Sequence, residues 1–390
     1  MNKLWAIVLV LAHVSHILAS HGDDLYIFDD CLYQCEQLTC YNNPYHIVQE
    51  EFHKELQDQN FDFKLYRPDW HFDSMPLPLH LRLLSWTCEQ NCDYQCQRIV
   101  TKDRIDEGVE EPVVQFHGKW PFRRILGVQE LMSALFSIGN FVVHYIGFKK
   151  LANVIAKTPA KLRSNYYNVL LISVVTMGAW VSSTIFHIRD FPTTEKLDYY
   201  FAGATVLSSF HGIAARLMEL HKTTLWRWVF FLVCILAFAG HIYRLETDWL
   251  YTYNMQANIA VGILQNICLG KLCFNIYSQY YREEQLDRQN QNLNHLTYME
   301  SSKMLLSSFY GRSPKLYSLY ALFLASIVAV GLSLEVFDFP PVFFDLVDAH
   351  SLWHLVTIVP VYYGWYDWMI WDITENVVAD LRAVEEKKSQ

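Results

Sequence analysis

Mainly apolar residues fill seven stretches of the later two-thirds of the chain, near 125–148, 167–187, 197–219, 225–243, 254–277, 316–336 and 349–371. Each holds about the 20 residues that a helix needs to cross a bilayer's hydrocarbon, so the pattern predicts seven membrane-spanning helices. The fifth is the most polar, with Asn254, Gln256, Asn258, Gln265 and Asn266, as befits a helix facing the inside of a bundle. Residues 21–120 break the pattern. They are polar and aromatic, carry Pro68, Pro76 and Pro78, and predict a small domain with a thin core that depends on cross-links. Trp120 and Phe122 suit the approach to a membrane interface. A shorter apolar run over residues 4–14, behind Lys3 and ahead of Leu18-Ala19-Ser20, reads as a secretory signal peptide and is too short to span comfortably. The expected organisation is a signal peptide (1–20), a cysteine-rich lumenal domain (21–120), a seven-span domain (121–372) and a cytosolic tail (373–390). The fold class is all-α: a polytopic seven-helix bundle with a small disulfide-rich N-terminal domain.

Charge orients this arrangement. Only 18% of the 390 residues are charged, against roughly 25% in ordinary soluble domains. The net charge of −9 offers no footprint for nucleic acid. The loop after the first span holds Lys149, Lys150, Lys157, Lys161 and Arg163, and those after the third and fifth hold Lys222, Arg227, Arg282, Arg288, Lys303, Arg312 and Lys315. The alternate loops carry only Arg189, Lys196 and Arg244, and the last is acidic. By the positive-inside rule the N-terminal domain is lumenal and the tail cytosolic. A signal peptide and an odd number of spans predict the same.

Of nine cysteines, Cys234, Cys268 and Cys273 fall in apolar stretches and read as buried small hydrophobes. The other six form two triplets, Cys31, Cys35, Cys40 and Cys88, Cys92, Cys96. Behind a signal peptide they argue for up to three disulfides, in any of 15 connectivities. Steps of four place Cys88, Cys92 and Cys96 along one helix face, and Cys31 with Cys35 along another. Two short helices stapled face to face would account for them; a zinc cluster is the alternative.

The predicted topology also brings chemistry to one depth. The second span ends in Ser182-Ser183-Thr184-Ile185-Phe186-His187, the third begins at Leu197-Asp198, and the seventh opens with His350 and His354. Ser183 and His187, like His350 and His354, are one helical step of four apart and share a face. Ser183, His187, Asp198, His350 and His354 are therefore expected just inside the lumenal leaflet. Ionisable groups there are costly without partners. Three histidines with an open fourth position make a catalytic zinc set. A carboxylate beside it can deprotonate water, and a serine hydroxyl can donate to the oxyanion of an attacked carbonyl. Glu130, His241, Asp345 and Asp348 are further candidates for supporting such a site, the two aspartates by bonding a ligand imidazole's other nitrogen. Trp353 between the histidines is a candidate wall for an acyl groove. His144, His211, Arg216 and Lys271 lie deeper or towards the cytosol, as packing, snorkelling or headgroup contacts.

The pattern Ser183-x3-His187, Asp198 and His350-x3-His354 resembles the CREST superfamily of seven-span hydrolases. The cysteine-rich N-terminal region, Trp86-Thr87-Cys88 and Phe116-His117-Gly118-Lys119-Trp120-Pro121-Phe122 resemble its Per1-like branch, from Cys31 to Asp372. The resemblance implies lipid remodelling of GPI anchors: hydrolysis of the sn-2 acyl ester of the phosphatidylinositol on GPI-anchored proteins, releasing a fatty acid. It implies zinc on His187, His350 and His354, with Asp198 as the water-activating base and Ser183 supporting the oxyanion. GPI-anchored proteins and membrane lipids would be the partners, and the Golgi membrane the location, with the endoplasmic reticulum as alternative. Competing readings are a ceramidase-like amide hydrolase on the same metal set, a non-catalytic seven-span receptor or chaperone for anchored cargo, and a proton or ion transporter. The collection of polar groups at one end speaks against the transporter.

Overall fold

The computed structural model of the chain describes residues 20–43, 67–289, 313–379 and 381. The expected signal peptide, most of the loop near 279–315 and the end of the tail lie outside them. Among the described residues every regular element is helical, with only isolated bridges of strand character. Contacts group the chain into two units.

The first unit comprises Met1–Met132, His187–Arg189 and Asp338–Ala349. Helices α1 (Tyr26–Cys35) and α3 (Cys88–Asp106) face each other, with the short α2 (Leu79–Leu83) between them in sequence. Thr87 and Gln90 start α3 with a reciprocal capping box, each side chain bonding the other's backbone N–H at 3.2 Å. Three disulfides join the helices antiparallel: Cys31–Cys96, Cys35–Cys92 and Cys40–Cys88. The step from Cys35 to Cys40 is five. In an α-helix that would turn the side chain about 140° off the face. A π-helical turn, Glu36–Cys40, follows α1 instead. Its wider bond, Tyr41 N–H to Glu36 C=O at 2.9 Å, absorbs the extra residue and returns Cys40 to the ladder. Phe28, Trp70, Val100, Val114 and Phe116 pack round the bridges.

Two tight turns shape the approach to the membrane helices. His117 (φ 49°) and Gly118 (φ 78°) sit between Phe116 and Lys119, whose backbones exchange bonds of 2.7 and 2.8 Å. Leu126 (φ 53°) and Gly127 (φ 87°) repeat the arrangement between Ile125 and Val128. Successive positive φ values are the mark of a type I′ turn. Trp86 is fixed nearby: its indole N–H bonds Gly127 C=O at 2.9 Å, and the guanidiniums of Arg124 and Arg189 lie 4.4 and 3.9 Å from its ring centre.

The second unit comprises Ser133–Phe186, Asp190–Phe337 and His350–Gln390. Apart from the end residues Leu131, Met132, His187, Ile188 and Ala349, which group with the first unit, its helices are α4 (Leu131–Lys157), α5 (Tyr167–Ile188), α6 (Pro192–Leu217), α7 (Thr224–Thr247), α8 (Tyr251–Gln289), α9 (Pro314–Tyr317), α10 (Tyr320–Gly331), α11 (Ser333–Val336), α12 (Ala349–Tyr362) and α13 (Trp365–Asp372). Pro192 opens α6 at its first helical position, where a missing N–H costs nothing. The core runs through Leu151, Tyr166, Leu269, Leu324, Tyr366 and Trp368. Helices α4 and α13 pack closely because Gly147 has no side chain; a Cβ there would lie 2.1 Å from the Tyr366 ring.

Five helical segments among the described residues are long and apolar enough to cross a membrane: Leu131–Lys157, Ala160–Ile188, Thr224–Thr247, Tyr251–Leu286 and Pro314–Val336. They support a multi-pass membrane protein. The third and seventh expected spans take another form. Helix α6 has 26 residues, but its middle carries Thr205, Ser208, Ser209 and His211, which lowers its apolarity. The last stretch is split at Gly364, held at φ 116°, into helices of 14 and 8 residues.

Candidate metal centre

Helix α12 begins with His350 and His354 on one face. Their rings stack obliquely with centres 4.5 Å apart, and their Nε2 atoms are 3.0 Å apart. Two nitrogens at 2.0–2.1 Å from one tetrahedral zinc would be about 3.3 Å apart, so the spacing fits a shared ion. The other nitrogens are held from outside. His350 Nδ1 lies 2.6 Å from Glu335 Oε1 on α11, and His354 Nδ1 lies 2.8 Å from Ser137 Oγ on α4. Ser137 Oγ is also 3.0 Å from Ser183 Oγ on α5 and donates to Ser133 C=O at 2.8 Å. Asn140 clamps α12 to α4 by donating to His354 C=O at 2.7 Å. The Trp180 ring stands edge-on to His354, centres 5.3 Å apart.

Helix α5 runs unbroken through Ser183 to His187, so the helix itself carries the third imidazole one turn beyond the serine. His187 is 1% exposed. Its Nδ1 lies 2.7 Å from Glu130 Oε2, while Glu130 Oε1 accepts from Lys119 Nζ at 2.7 Å. A second bond, Glu130 N–H to His187 C=O at 3.0 Å, ties the same two residues through the backbone. Each of the three histidines thus offers Nδ1 to a different oxygen, which orients Nε2 as the ligand atom, the usual support for metal-bound imidazoles. The candidate ligand atoms of His187, His350 and His354 all lie within 4.8 Å of one another. The donor set fits zinc: three imidazoles, buried or half-buried.

Ser183 and the three histidines are therefore brought together. Asp198 is half-buried in the second turn of α6. Of the other candidates, Glu130 does support an imidazole. Asp345 does not; its carboxylate pairs with Arg98 at 2.6 Å, on a loop where Phe343, Phe344 and Asp345 all have positive φ. His241 bonds the Tyr253 hydroxyl at 3.3 Å. Trp353 is half-buried and lies against Gly331 on α10. The six N-terminal cysteines are disulfide-bonded, and Cys234, Cys268 and Cys273 are free.

Ser137, Asn140 and Glu335 were not among the sequence candidates. The signal for the first two was there: Ser133, Ser137, Asn140 and His144 are all buried on α4 and step along one face of an otherwise apolar helix. Glu335 carried no such pattern.

The family is settled by comparison with known proteins. A model of the Per1-like family matches residues 78–373. This chain belongs to the Per1-like family. Protein PER1 of Saccharomyces cerevisiae is 39% identical over 379 residues, covering 95% of this chain and 96% of that protein. Post-GPI attachment to proteins factor 3 of Drosophila melanogaster is 31% identical over 362 residues, 92% of this chain and 91% of its own. The GPI-specific phospholipase A2-like PGAP3 of Xenopus tropicalis is 31% identical over 364 residues, 93% of each. No solved structure matches. The Per1-like match takes in Ser183, His187, Asp198, His350 and His354 together with Cys88, Cys92 and Cys96; Cys31, Cys35 and Cys40 precede it.

Proposed function

We propose that this Per1-like protein remodels GPI anchors by zinc-dependent hydrolysis of the sn-2 acyl ester of their phosphatidylinositol. One observation carries the reading: three histidines whose ligand atoms lie within 4.8 Å, each steadied through Nδ1 by a separate oxygen from Glu130, Glu335 or Ser137. The names of the relatives, GPI-specific phospholipase A2-like among them, support the substrate class. His187, His350 and His354 would hold zinc, which when bound acidifies water and polarises an ester carbonyl. Asp198 takes the proton from the attacking water. Ser183 donates a hydrogen bond to the ester oxygen as negative charge grows on it. Ser137, lying between Ser183 and His354, keeps the hydroxyl and the imidazole in register. Water adds across the acyl C–O bond, leaving a fatty acid and a lysolipid anchor. On this reading α6 and the split α12–α13 complete seven spans, the cysteine-rich unit is lumenal, and the protein works in the Golgi membrane on GPI-anchored proteins.

The purified protein is expected to hold about one zinc per chain, lost on replacing all three histidines by alanine. In cells lacking the protein, wild type restores sn-2 remodelling of GPI anchors by mass spectrometry and His354→Ala does not. Equal remodelling by the two would end the hydrolase assignment, and a metal-free wild type would end the zinc reading.

A further inference from the structure

A cavity lies within the α4–α13 unit. It encloses about 400 Å³ and touches α5 at Ile172, 11 residues or about 16 Å along the helix from Ser183. That volume is within the range of small-molecule sites. Its walls are apolar at Ile172, Phe231 and Leu272, and its polar lining includes Arg216, Asp372, His211, His221 and Arg227.

The charges on that lining are unbalanced. Arg216 and Asp372 cancel each other in a two-point pair, with both N···O distances 2.9 Å. Arg227, half-buried in the first turn of α7, has no ion pair or side-chain hydrogen bond among the described residues. His211 is 3% exposed. Its ring stacks on Phe230 and meets Phe231 edge-on, centres 5.2 and 5.4 Å away, yet neither ring nitrogen has a hydrogen-bond partner among the described residues. A buried polar group without a partner is costly and calls for a ligand or water. One unopposed guanidinium with two imidazoles, over apolar walls, asks for an anion attached to a hydrocarbon chain. The planar fork of Arg227 suits phosphate.

We propose that this cavity is a binding site for a phosphate-bearing lipid. Arg227 and His221 take the phosphate, His211 bonds the polar atoms linking head to tail, and the acyl chain lies along Ile172, Phe231 and Leu272. This site stands apart from the zinc reading and survives its failure.

The test uses the full-length protein in dodecyl maltoside and a phosphatidic acid with a diazirine in its acyl tail. Photolysis is expected to label peptides containing Ile172, Phe231 or Leu272, and dodecyl phosphate to compete. Labelling should fall at least fivefold in Arg227→Gln and in Ile172→Trp, which fills the cavity, and by less in Arg227→Lys, which keeps the charge without the fork, with all variants eluting as the wild type does. Undiminished labelling in Arg227→Gln and Ile172→Trp would overturn the proposal. So would equal labelling by a diazirine diacylglycerol, which lacks the phosphate. Competition by inorganic phosphate as strong as by dodecyl phosphate would make it a free-anion site and overturn the lipid.

Discussion

Removing the Cys40–Cys88 bridge should destabilise the N-terminal unit by about 2.7 kcal/mol, well short of what its sequence separation implies. That separation is 48 residues, and closing such a loop alone is worth about 4 kcal/mol in chain entropy. The ladder changes the reckoning. With Cys35–Cys92 intact, residues 40 and 88 are already joined by a path of five residues on one side and four on the other. The third bridge then closes a ring of only about ten residues, which gives the smaller figure. Cys40 and Cys88 are also the half-exposed pair, whereas the other four bridge cysteines are at most 1% exposed, so the double variant Cys40→Ala/Cys88→Ala leaves the core packing nearly untouched. Removing all three bridges should cost about 9 kcal/mol, since the long loop then opens as well. The assay is pulse proteolysis of the detergent-solubilised protein across a urea series. With a slope of about 1–3 kcal/mol/M, the midpoint should fall by about 1–2.7 M. A loss near 4 kcal/mol would mean that the neighbouring bridges do not hold the loop, and no loss that Cys40 and Cys88 are not joined; either result refutes the nested ladder.

Glu130→Gln keeps the shape at His187 but removes the charge shared with Lys119, and should weaken zinc binding about 10–100-fold, read by competition with a chelator. Trp86→Ala, which empties the slot between Arg124 and Arg189, should cost about 3–5 kcal/mol in the same proteolysis assay. His117 has its pKa raised, first by its hydrogen bond to Asp93 and further by the charges of Asp93 and Asp23, with burial opposing. Its stabilising contribution is therefore complete below the ordinary histidine pKa and lost as pH rises through the raised folded value. An NMR titration should find that pKa above 6.5, and His117→Asn, which tolerates the positive φ, should flatten the loss of turn stability as pH rises above 6.5.

How much was legible in the sequence depended on whether the signal was local. Hydrophobic runs are local, and five of the seven predicted spans have helices long and apolar enough to cross a membrane. Steps of four are local too, so the shared faces of Cys88, Cys92 and Cys96, of Ser183 and His187, and of His350 and His354 follow from helix geometry alone. Pairings between elements are not. Any of 15 connectivities was open to the six cysteines; the antiparallel seating of α1 on α3, and a π-helical turn that a five-residue step only hints at, chose one. The supports of the imidazoles divide the same way. Ser137 and Asn140 lay on a visible polar face of α4, but that this face meets His354 is a matter of packing between distant helices. Glu335 and Asp345 were equivalent acids on one loop until the fold turned one to His350 and the other to Arg98. Periodicity says which side of a helix is polar, because it is set by the backbone repeat. What that side touches is decided only when helices far apart in sequence pack, and nothing in a one-dimensional repeat records it.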